Sequence, residues 1–222
     1  MKALVQILLW IFPWNARRFF LISFFGFKID KSAKIGFSII LAKELELERK
    51  SYIGNFTLCK AIDKLHLKMS ARLGTLNYIT GFSSYNKNHF SHVEDRKCVL
   101  IIGNHSAVTS RHFLDATGGI YIGNFTTFAG IKSQILTHSI DLQANRQDAD
   151  SVFIGDYCFV GTGCILLKGA KLPHRSVLGA MSLLNKNHDK ENCLYGGVPA
   201  KFVSEINVGE NDYFKREVGF VK

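Results

Sequence analysis

The chain has 222 residues, a formal net charge of +10 and a hydrophobic fraction of 47%. These values exclude a disulfide-stapled mini-protein, a disordered chain and a coiled coil, and they fit one large domain or two small ones. The five cysteines form no C-x-x-C pair, so the sequence indicates neither a disulfide framework nor a thiolate zinc site and favours a reducing compartment.

Residues 1–27 contain both tryptophans and an excess of phenylalanine, with Arg17 and Arg18 close by. The apolar run over residues 3–14 is shorter than the roughly 20 residues that span a bilayer, and no signal-peptide cleavage site follows it. This composition is typical of a helix in the membrane interface; the alternative is an arm that packs on the domain or on a neighbouring subunit.

We therefore expect residues 1–27 to form an amphipathic, membrane-associated arm. The expected location is the cytoplasm, at the periphery of the inner face of the cell membrane. Nucleic acid is not an expected partner, because the basic residues of this segment lie among bulky apolar ones and no nucleic-acid-binding motif is present.

A period of six residues follows the arm. In the clearest run, an aliphatic residue recurs every six positions. A small residue stands four positions after each of the first five of these aliphatic residues. A short strand and a corner per repeat would explain this period, with three faces closing one coil of a solenoid over residues 28–203 and a C-terminal tail over 204–222. A sandwich of glycine-rich strands is the less favoured alternative. The aliphatic run is Ile154, Val160, Leu166, Leu172, Leu178 and Leu184.

Earlier runs have the same period. One run steps from Ile29 through Leu41 to Leu65, resumes after a slip of two at Leu67, and is followed by a third run from Ile102. Two polar insertions, residues 83–97 and 137–151, interrupt the repeats. Insertions in a solenoid cluster where ligands bind, so we expect both near the functional site.

The repeat pattern, aliphatic-Gly-x-x-small-x, and the closing segment Gly197-Val198-Pro199-Ala200-Lys201 resemble the hexapeptide-repeat acyltransferases, in particular the branch that O-acetylates sugars and polysaccharides. The resemblance implies an all-β fold, the left-handed parallel β-helix, in a homotrimer. It also implies an O-acetyltransferase that uses acetyl-CoA as donor, without a metal, and a sugar hydroxyl as acceptor. A cell-surface polysaccharide or a lipid-linked glycan precursor is the expected acceptor.

His138 opens the second insertion, sixteen residues before Ile154. A histidine at this place is the general base in the family that the sequence resembles. Because a neutral imidazole, with a pKa near 6.5, can take the proton of a sugar hydroxyl, the hydroxyl would attack the thioester directly, without an acyl-enzyme. Backbone N–H groups at a coil corner would hold the oxyanion.

The other site residues rest on the same resemblance. We expect Thr109, Arg111, His112 and Asp115 to line the acceptor pocket, although Thr109 stands where the family has Asn. The expected acetyl-CoA groove lies between subunits and involves Ala129, Gly130, Gly161, Thr162, Ala180, Lys186 and Lys201. Cys158 and Cys164 occupy small inward positions of the repeat, which favours core packing over a nucleophilic role.

Two alternatives to an acetyltransferase are considered. A zinc enzyme of the carbonic-anhydrase type needs three histidines, two of them spaced H-x-x-x-x-H, and no such pair occurs. A solenoid that only binds or scaffolds is the other alternative. The sequence leaves open the acceptor sugar, its hydroxyl and the length of a short acyl group.

Overall fold

The structure, a computed structural model, describes residues 1–86 and 89–219. Residues 87–88 of the first predicted insertion and 220–222 of the predicted tail therefore lie outside the described residues. Two helices begin the chain, α1 (Lys2–Leu8) and α2 (Trp14–Phe25), joined by the 3-10 turn Leu9–Ile11. Gly26 ends α2 with a left-handed φ of 68°, a conformation that glycine adopts without a steric penalty.

Seven coils of three short strands follow in the described residues. The first three coils are β1 (Lys28–Ile29), β2 (Lys34–Ile35), β3 (Ile39–Leu41); β4 (Glu44–Leu47), β5 (Tyr52–Ile53), β6 (Leu58–Lys60); and β7 (Lys64–Leu67), β8 (Arg72–Leu73), β9 (Tyr78–Thr80). The fourth and fifth are β10 (Val99–Ile102), β11 (Ala107–Val108), β12 (Phe113–Asp115); and β13 (Ile120–Ile122), β14 (Thr127–Phe128), β15 (Gln134–Leu136).

A hairpin, β16 (His138–Asp141) and β17 (Arg146–Ala149), precedes the sixth coil. The last two coils are β18 (Val152–Ile154), β19 (Phe159–Val160), β20 (Ile165–Leu167); and β21 (Lys171–Leu172), β22 (Val177–Leu178), β23 (Leu183–Leu184). The antiparallel strands β24 (Cys193–Gly196) and β25 (Lys201–Glu205) and a 3-10 turn, Asp212–Phe214, end the described chain.

Equivalent strands of successive coils pair in parallel and form three sheets. The first sheet runs from β1 to β21, the second from β2 through β22 to β24 and β25, and the third from β3 to β23. The chain crosses a first corner from the first to the second sheet, a second corner to the third sheet, and a third corner back to the first. Both insertions leave from the third corner. The predicted fold class, a left-handed parallel β-helix with an N-terminal helical arm, is confirmed.

The core contains the aliphatic residues of the predicted repeat. The clearest run, from Ile154 to Leu184, is at most 2% exposed throughout. The slip of two at Leu67 marks a first-sheet strand, β7, that turns two residues inward, Leu65 and Leu67. One position was wrong: Ile40 is buried in place of Leu41, because the step from Ile35 to the next inward residue is five positions, not six.

Cysteine packing agrees with the inward positions of the repeat. Cys158 and Cys164 are fully buried. Burial raises the pKa of the Cys158 thiol to about 12 and also raises that of Cys164. A thiol whose pKa is raised by burial carries almost no thiolate at neutral pH, so neither side chain is a competent nucleophile.

Residues 1–27 cover the open end of the first coil. The Gln6 amide donates to the Ile40 carbonyl (2.6 Å) and accepts from the Ile40 N–H (2.8 Å), which satisfies the edge of the third sheet. Arg17 donates to the Gly36 carbonyl (2.7 Å). The arm therefore packs on its own domain. None of the helices in the described part of the chain has the length and hydropathy to cross a bilayer.

The tail lies across the second sheet. The Tyr213 hydroxyl donates to the Cys158 carbonyl (2.7 Å), and the Arg216 guanidinium donates to the Phe125 carbonyl. The tail thus covers part of the second sheet, while the first and third sheets stay free of it in the described chain.

Candidate functional site

The third corner holds a histidine and an aspartate in direct contact. His138 begins β16, and Asp115 ends β12 one coil below. The His138 Nδ1 atom lies 2.6 Å from Asp115 Oδ2. Asp115 is 2% exposed, whereas 32% of the His138 side chain is exposed. The buried carboxylate therefore holds one ring nitrogen while the other side of the ring is open to a ligand.

Backbone and hydroxyl donors hold the Asp115 carboxylate in place. The Thr117 hydroxyl donates to Oδ1 (2.5 Å), and the Thr137 N–H donates to Oδ2 (3.0 Å). Burial by itself raises the pKa of Asp115, but the hydrogen bonds from His138 and Thr117 outweigh it, and the net pKa is lowered. Asp115 is therefore ionised at neutral pH and accepts a hydrogen bond from the N–H group at His138 Nδ1.

Asp115 changes the basicity of His138 in turn. The hydrogen bond to Asp115 raises the pKa of His138 above its ordinary value, against the opposing effect of burial. With the proton on Nδ1, the lone pair of a neutral ring is on Nε2. In the described residues the structure gives Nε2 no hydrogen-bond partner. This arrangement is that of an oriented general base.

The first insertion and the residue just before it supply walls around His138. The rings of Phe82 and Phe90 meet the His138 ring edge to face, with centroids 5.7 Å and 6.3 Å away. Arg96 donates to the Thr117 carbonyl (2.8 Å), and its guanidinium lies 4.5 Å from the Phe90 ring centroid. None of these three residues was predicted as a site residue from the sequence. The position of the first insertion was the signal for Phe90 and Arg96, and Phe82 immediately precedes that insertion.

The predicted acceptor residues do not lie together. Thr109, Arg111 and His112 lie at the second corner, and only Asp115 lies beside His138. The His112 ring is buried between the Thr109 hydroxyl, 2.9 Å from Nε2, and the Ser133 N–H, which donates to Nδ1 (3.2 Å). Burial lowers the pKa of His112 to about 4, so this ring is neutral and positions its neighbours. Arg111 is exposed.

Side chains bond the backbone of the second corner in the lower coils. The N–H groups of residues 37, 55 and 75 each donate to a side-chain oxygen in the coil above. The acceptors are Asn55 Oδ1 (2.9 Å), Thr75 Oγ1 (3.3 Å) and Ser110 Oγ (2.9 Å). The equivalent series at the first corner continues upward, where the Asn124 N–H donates to Asp156 (2.6 Å) and the Asp156 N–H to His174 Nδ1 (2.9 Å).

This series stops at Ser110. The next residue in the column is Gly130, which has no side-chain acceptor, and a Cβ on it would lie 2.3 Å from the Thr162 Cβ. Within the described residues, the N–H groups of Ser110, Gly130, Thr162 and Ala180 receive no hydrogen-bond partner. We call these four residues the open amide column. It presents a row of donors on a surface of small residues.

The predicted donor residues follow this column in part. Ala129 and Gly161 precede Gly130 and Thr162, and Lys201 pairs with Gly196 at the top of the same corner. Lys186 instead lies at the third corner, next to β21. Seven residues of the third sheet and its flanks separate Gly130 from His138. At about 3.3 Å per residue, the column and the base are about 20 Å apart in one chain.

One cluster in the described residues has metal-ligand atoms in close proximity, formed by Glu46, Glu48 and His66. Its groups already bond to the protein: Lys64 donates to Glu46 (2.6 Å), and His66 Nε2 lies 2.8 Å from Glu48. With one histidine, it does not match the three-histidine zinc set considered above.

No family model and no curated protein sequence matches the chain. Among solved structures, a hexapeptide-repeat acetyltransferase of Vibrio cholerae, VCA0836, is 25% identical over 49% of this chain and 63% of that chain, with a TM-score of 0.44. The present chain therefore spans less than two thirds of that protein. The polysialic acid O-acetyltransferase OatWY is 20% identical over 81% of this chain and 84% of its own, with a TM-score of 0.52.

A third match is a mutant of AntD, an N-acyltransferase from Bacillus cereus, in complex with dTDP-4-amino-4,6-dideoxyglucose and coenzyme A. It is 11% identical over 90% of this chain and 95% of its own, with a TM-score of 0.51. At these identities the likeness to OatWY and AntD concerns the fold. The chain therefore has the hexapeptide-repeat β-helix fold on which these acyltransferases are built.

Proposed function

We propose that this protein transfers an acetyl group from acetyl-CoA to a hydroxyl of a sugar, with His138 as the general base. The observation that carries this proposal is the His138–Asp115 pair: an ionised, buried carboxylate on Nδ1 and an unpartnered Nε2. Nε2 takes the hydroxyl proton as the oxygen attacks the thioester carbonyl carbon. The carbon–sulfur bond then breaks, and the departing thiolate receives the proton from the imidazolium.

The fold supports an acyl-CoA donor, since AntD contains coenzyme A on the same β-helix and OatWY is an O-acetyltransferase. In this chain the open amide column is the best place for the donor. Its unpaired N–H groups can bond the amides of a pantetheine arm, and its small residues let that arm lie flat. Lys201, at the top of the column, suits the phosphates as a point charge.

The direct test is transfer of radiolabelled acetyl from acetyl-CoA to a panel of monosaccharides, oligosaccharides and lipid-linked glycans. We expect a labelled sugar whose formation requires the intact protein. A protein that binds a glycan from the panel but labels none of them would instead favour the binding or scaffold alternative. A cell-surface polysaccharide or its lipid-linked precursor is the acceptor class we propose.

We propose a homotrimer in which neighbouring subunits complete each other's site. The outward residues of the third sheet form a mostly apolar surface. In the first six coils they are Ile39, Leu58, Tyr78, Phe113, Gln134 and Ile165. If third sheets pack around a threefold axis, the third corner of one subunit meets the second corner of the next. That contact would bring His138 to a neighbour's open amide column, which a single chain holds about 20 Å away.

Mixed oligomers test this sharing. His138→Ala removes the base, and Ala180→Trp fills the column; each variant alone should be nearly inactive. Random mixing of the two should restore about a quarter of the wild-type activity, because half of the bases are intact and half of those face an intact column. His138→Ala mixed with Asp115→Ala, two changes at one corner, should stay inactive. Mixed trimers without activity would contradict a shared site.

We also propose that the arm binds an anionic membrane surface. Although its inner side packs on the first coil, its outer side exposes large apolar side chains. Lys2 in the arm, and Lys28 and Lys31 directly after it in the chain, are also exposed. Apolar rings with flanking cations suit the boundary of an anionic bilayer. The exposed apolar residues are Leu4, Ile7, Leu8, Ile11, Phe12, Phe19 and Phe24.

Liposome flotation tests the membrane contact. The double variant Phe19→Ser/Phe24→Ser should lose most of its binding to vesicles that contain phosphatidylglycerol, because two exposed rings no longer enter the interface. Phe56→Ser is the matched control, since Phe56 is also exposed but lies at the second corner. Equal flotation of wild type and the double variant would contradict the proposal.

A further inference from the structure

A groove crosses the outer face of the first sheet. Its volume is about 620 Å³, within the range of about 300–1,000 Å³ that is usual for small-ligand sites. The floor is formed by outward residues of four successive strands, and glycines line both ends. The floor residues are Ile101, Tyr121, Phe153 and Lys171. No step of the proposed transfer uses this surface.

The centre of the groove is an aromatic platform, which we define as Tyr121 and Phe153. Their rings stack with centroids 4.8 Å apart and planes 11° apart, and Phe153 is 44% exposed. Exposure of a large ring in a concave surface has a solvation cost that a ligand can relieve. The flat apolar face of a pyranose ring is a suitable partner for such a platform, because its C–H groups can cover the rings while its hydroxyls point to the rim.

Polar groups surround the platform. Lys68 and Lys171 line the groove together with Asp150 and Asp156, so the two positive and two negative charges balance. The Asn187 amide lies beside Lys171. Such a rim offers donors and acceptors for hydroxyls and no excess charge for an anion. The chemistry favours an uncharged sugar unit on the platform.

One end of the groove leads to the candidate base. Asp150, in the groove lining, donates its N–H to the carbonyl of Thr137 (3.0 Å), the residue before His138. His138 itself pairs with Ala149 in the hairpin. Phe153 follows Asp150 by three residues, which corresponds to about 10 Å at 3.3 Å per residue. A ligand that covers the platform and extends past Asp150 therefore reaches the third corner.

We propose that this groove is a binding subsite for an oligosaccharide acceptor, with an uncharged sugar unit on Tyr121 and Phe153 and the unit to be acetylated near His138. The inference rests on the proposed function for the identity of the reacting end, but the binding itself needs no donor. It predicts that the acceptor is a chain of sugars and that a single free sugar binds much more weakly.

Binding without acetyl-CoA separates this subsite from the transfer reaction. The probe is a glycan array of neutral, amino-sugar and uronic-acid oligosaccharides with the matching monosaccharides. We expect wild type and His138→Ala to bind the same uncharged oligosaccharides, and Phe153→Ala to bind them about tenfold more weakly. Phe153→Tyr, which keeps the ring, should retain binding, as should Phe202→Ala, whose ring is 49% exposed on β25.

Several results would overturn the subsite. One is equal affinity of Phe153→Ala and wild type, and another is a loss of affinity in Phe202→Ala as large as the loss in Phe153→Ala. Binding confined to uronic acids, or no bound oligosaccharide on the array, would also overturn it. A second copy of the chain is the other possible occupant of this face, and light scattering on Phe153→Ala tests it. If the variant loses its oligomeric state, the face contacts a second copy of the chain. Failure of acetyl transfer with retained, Phe153-dependent binding would instead count against the proposed reaction alone.

Discussion

His138→Ala should lower kcat for acetyl transfer by about 10²–10⁴-fold, the usual contribution of a positioned general base. The loss arises because the sugar hydroxyl must then give its proton to water, which is neither oriented nor basic enough. Thermal unfolding should change little, since a third of this side chain is exposed and its ring fills no part of the core. Steady-state kinetics and calorimetry on the same preparation measure both quantities.

His105→Ala is a suitable control for that substitution. His105 stacks on Phe125 beside the tail, away from the third corner, and its loss should leave kcat within about twofold of wild type, as expected for a surface substitution. A His138→Ala protein that keeps more than a tenth of the wild-type kcat would show that another group, or water, accepts the proton.

Asp115→Asn should move the pH dependence of the reaction. A protonated His138 cannot accept a proton, so kcat/KM rises with pH through the pKa of His138 in the free enzyme. Asp115 raises that pKa, so the acidic limb of the wild-type profile should lie above pH 6.5, the ordinary value for histidine. Without the carboxylate, burial and the positive charge of Arg96 remain, and both lower the pKa of His138, so the acidic limb should shift to lower pH.

The same variant should also lose activity at its optimum, by up to about 10⁴-fold. The asparagine amide can donate to Nδ1, which places the ring proton on Nε2, where the lone pair is needed. Asp212→Asn, at an exposed position in the tail, should leave both the limb and the maximum in place. If Asp115→Asn lowers kcat while the acidic limb stays where it was, Asp115 supports the local fold without setting the basicity of His138.

Part of the site could be read from the sequence because a hexapeptide repeat is a local pattern. Each aliphatic residue and the small residue four positions later occupy one face of one coil, so their phase predicts the inward positions and the places where the chain leaves the solenoid. The repeat locates the insertion that His138 opens, and the resemblance to the hexapeptide-repeat acyltransferases, in which a histidine at this place is the general base, made His138 the candidate. The misplaced Leu41 occurs where the local step shortens and the pattern carries no mark of it.

Contacts between coils were not readable in this way. Asp115 was expected to contact the acceptor, whereas it is buried under His138, 23 residues further along the chain. The open amide column depends on which side chain of the next coil stands above each N–H group, as does the contact of Phe82 and Phe90 with His138. Such pairs are set by the rise of whole coils and by the lengths of insertions, which no repeat pattern encodes.

What could be predicted from the sequence and what required the tertiary structure differ in the range of the interactions involved. By itself, the sequence determined the period, nearly all of the inward residues and the two insertions, since hydrophobic phase and glycine corners act within a few residues. The family resemblance added His138 as the candidate base. Only the tertiary structure decided that the arm closes the first coil and that Asp115 supports His138. It also decided that the other predicted acceptor residues, and the predicted donor residues except Lys186, lie at a corner about 20 Å from the base. Stacking of coils brings together residues 18 to 35 positions apart, and their partners follow from coil geometry.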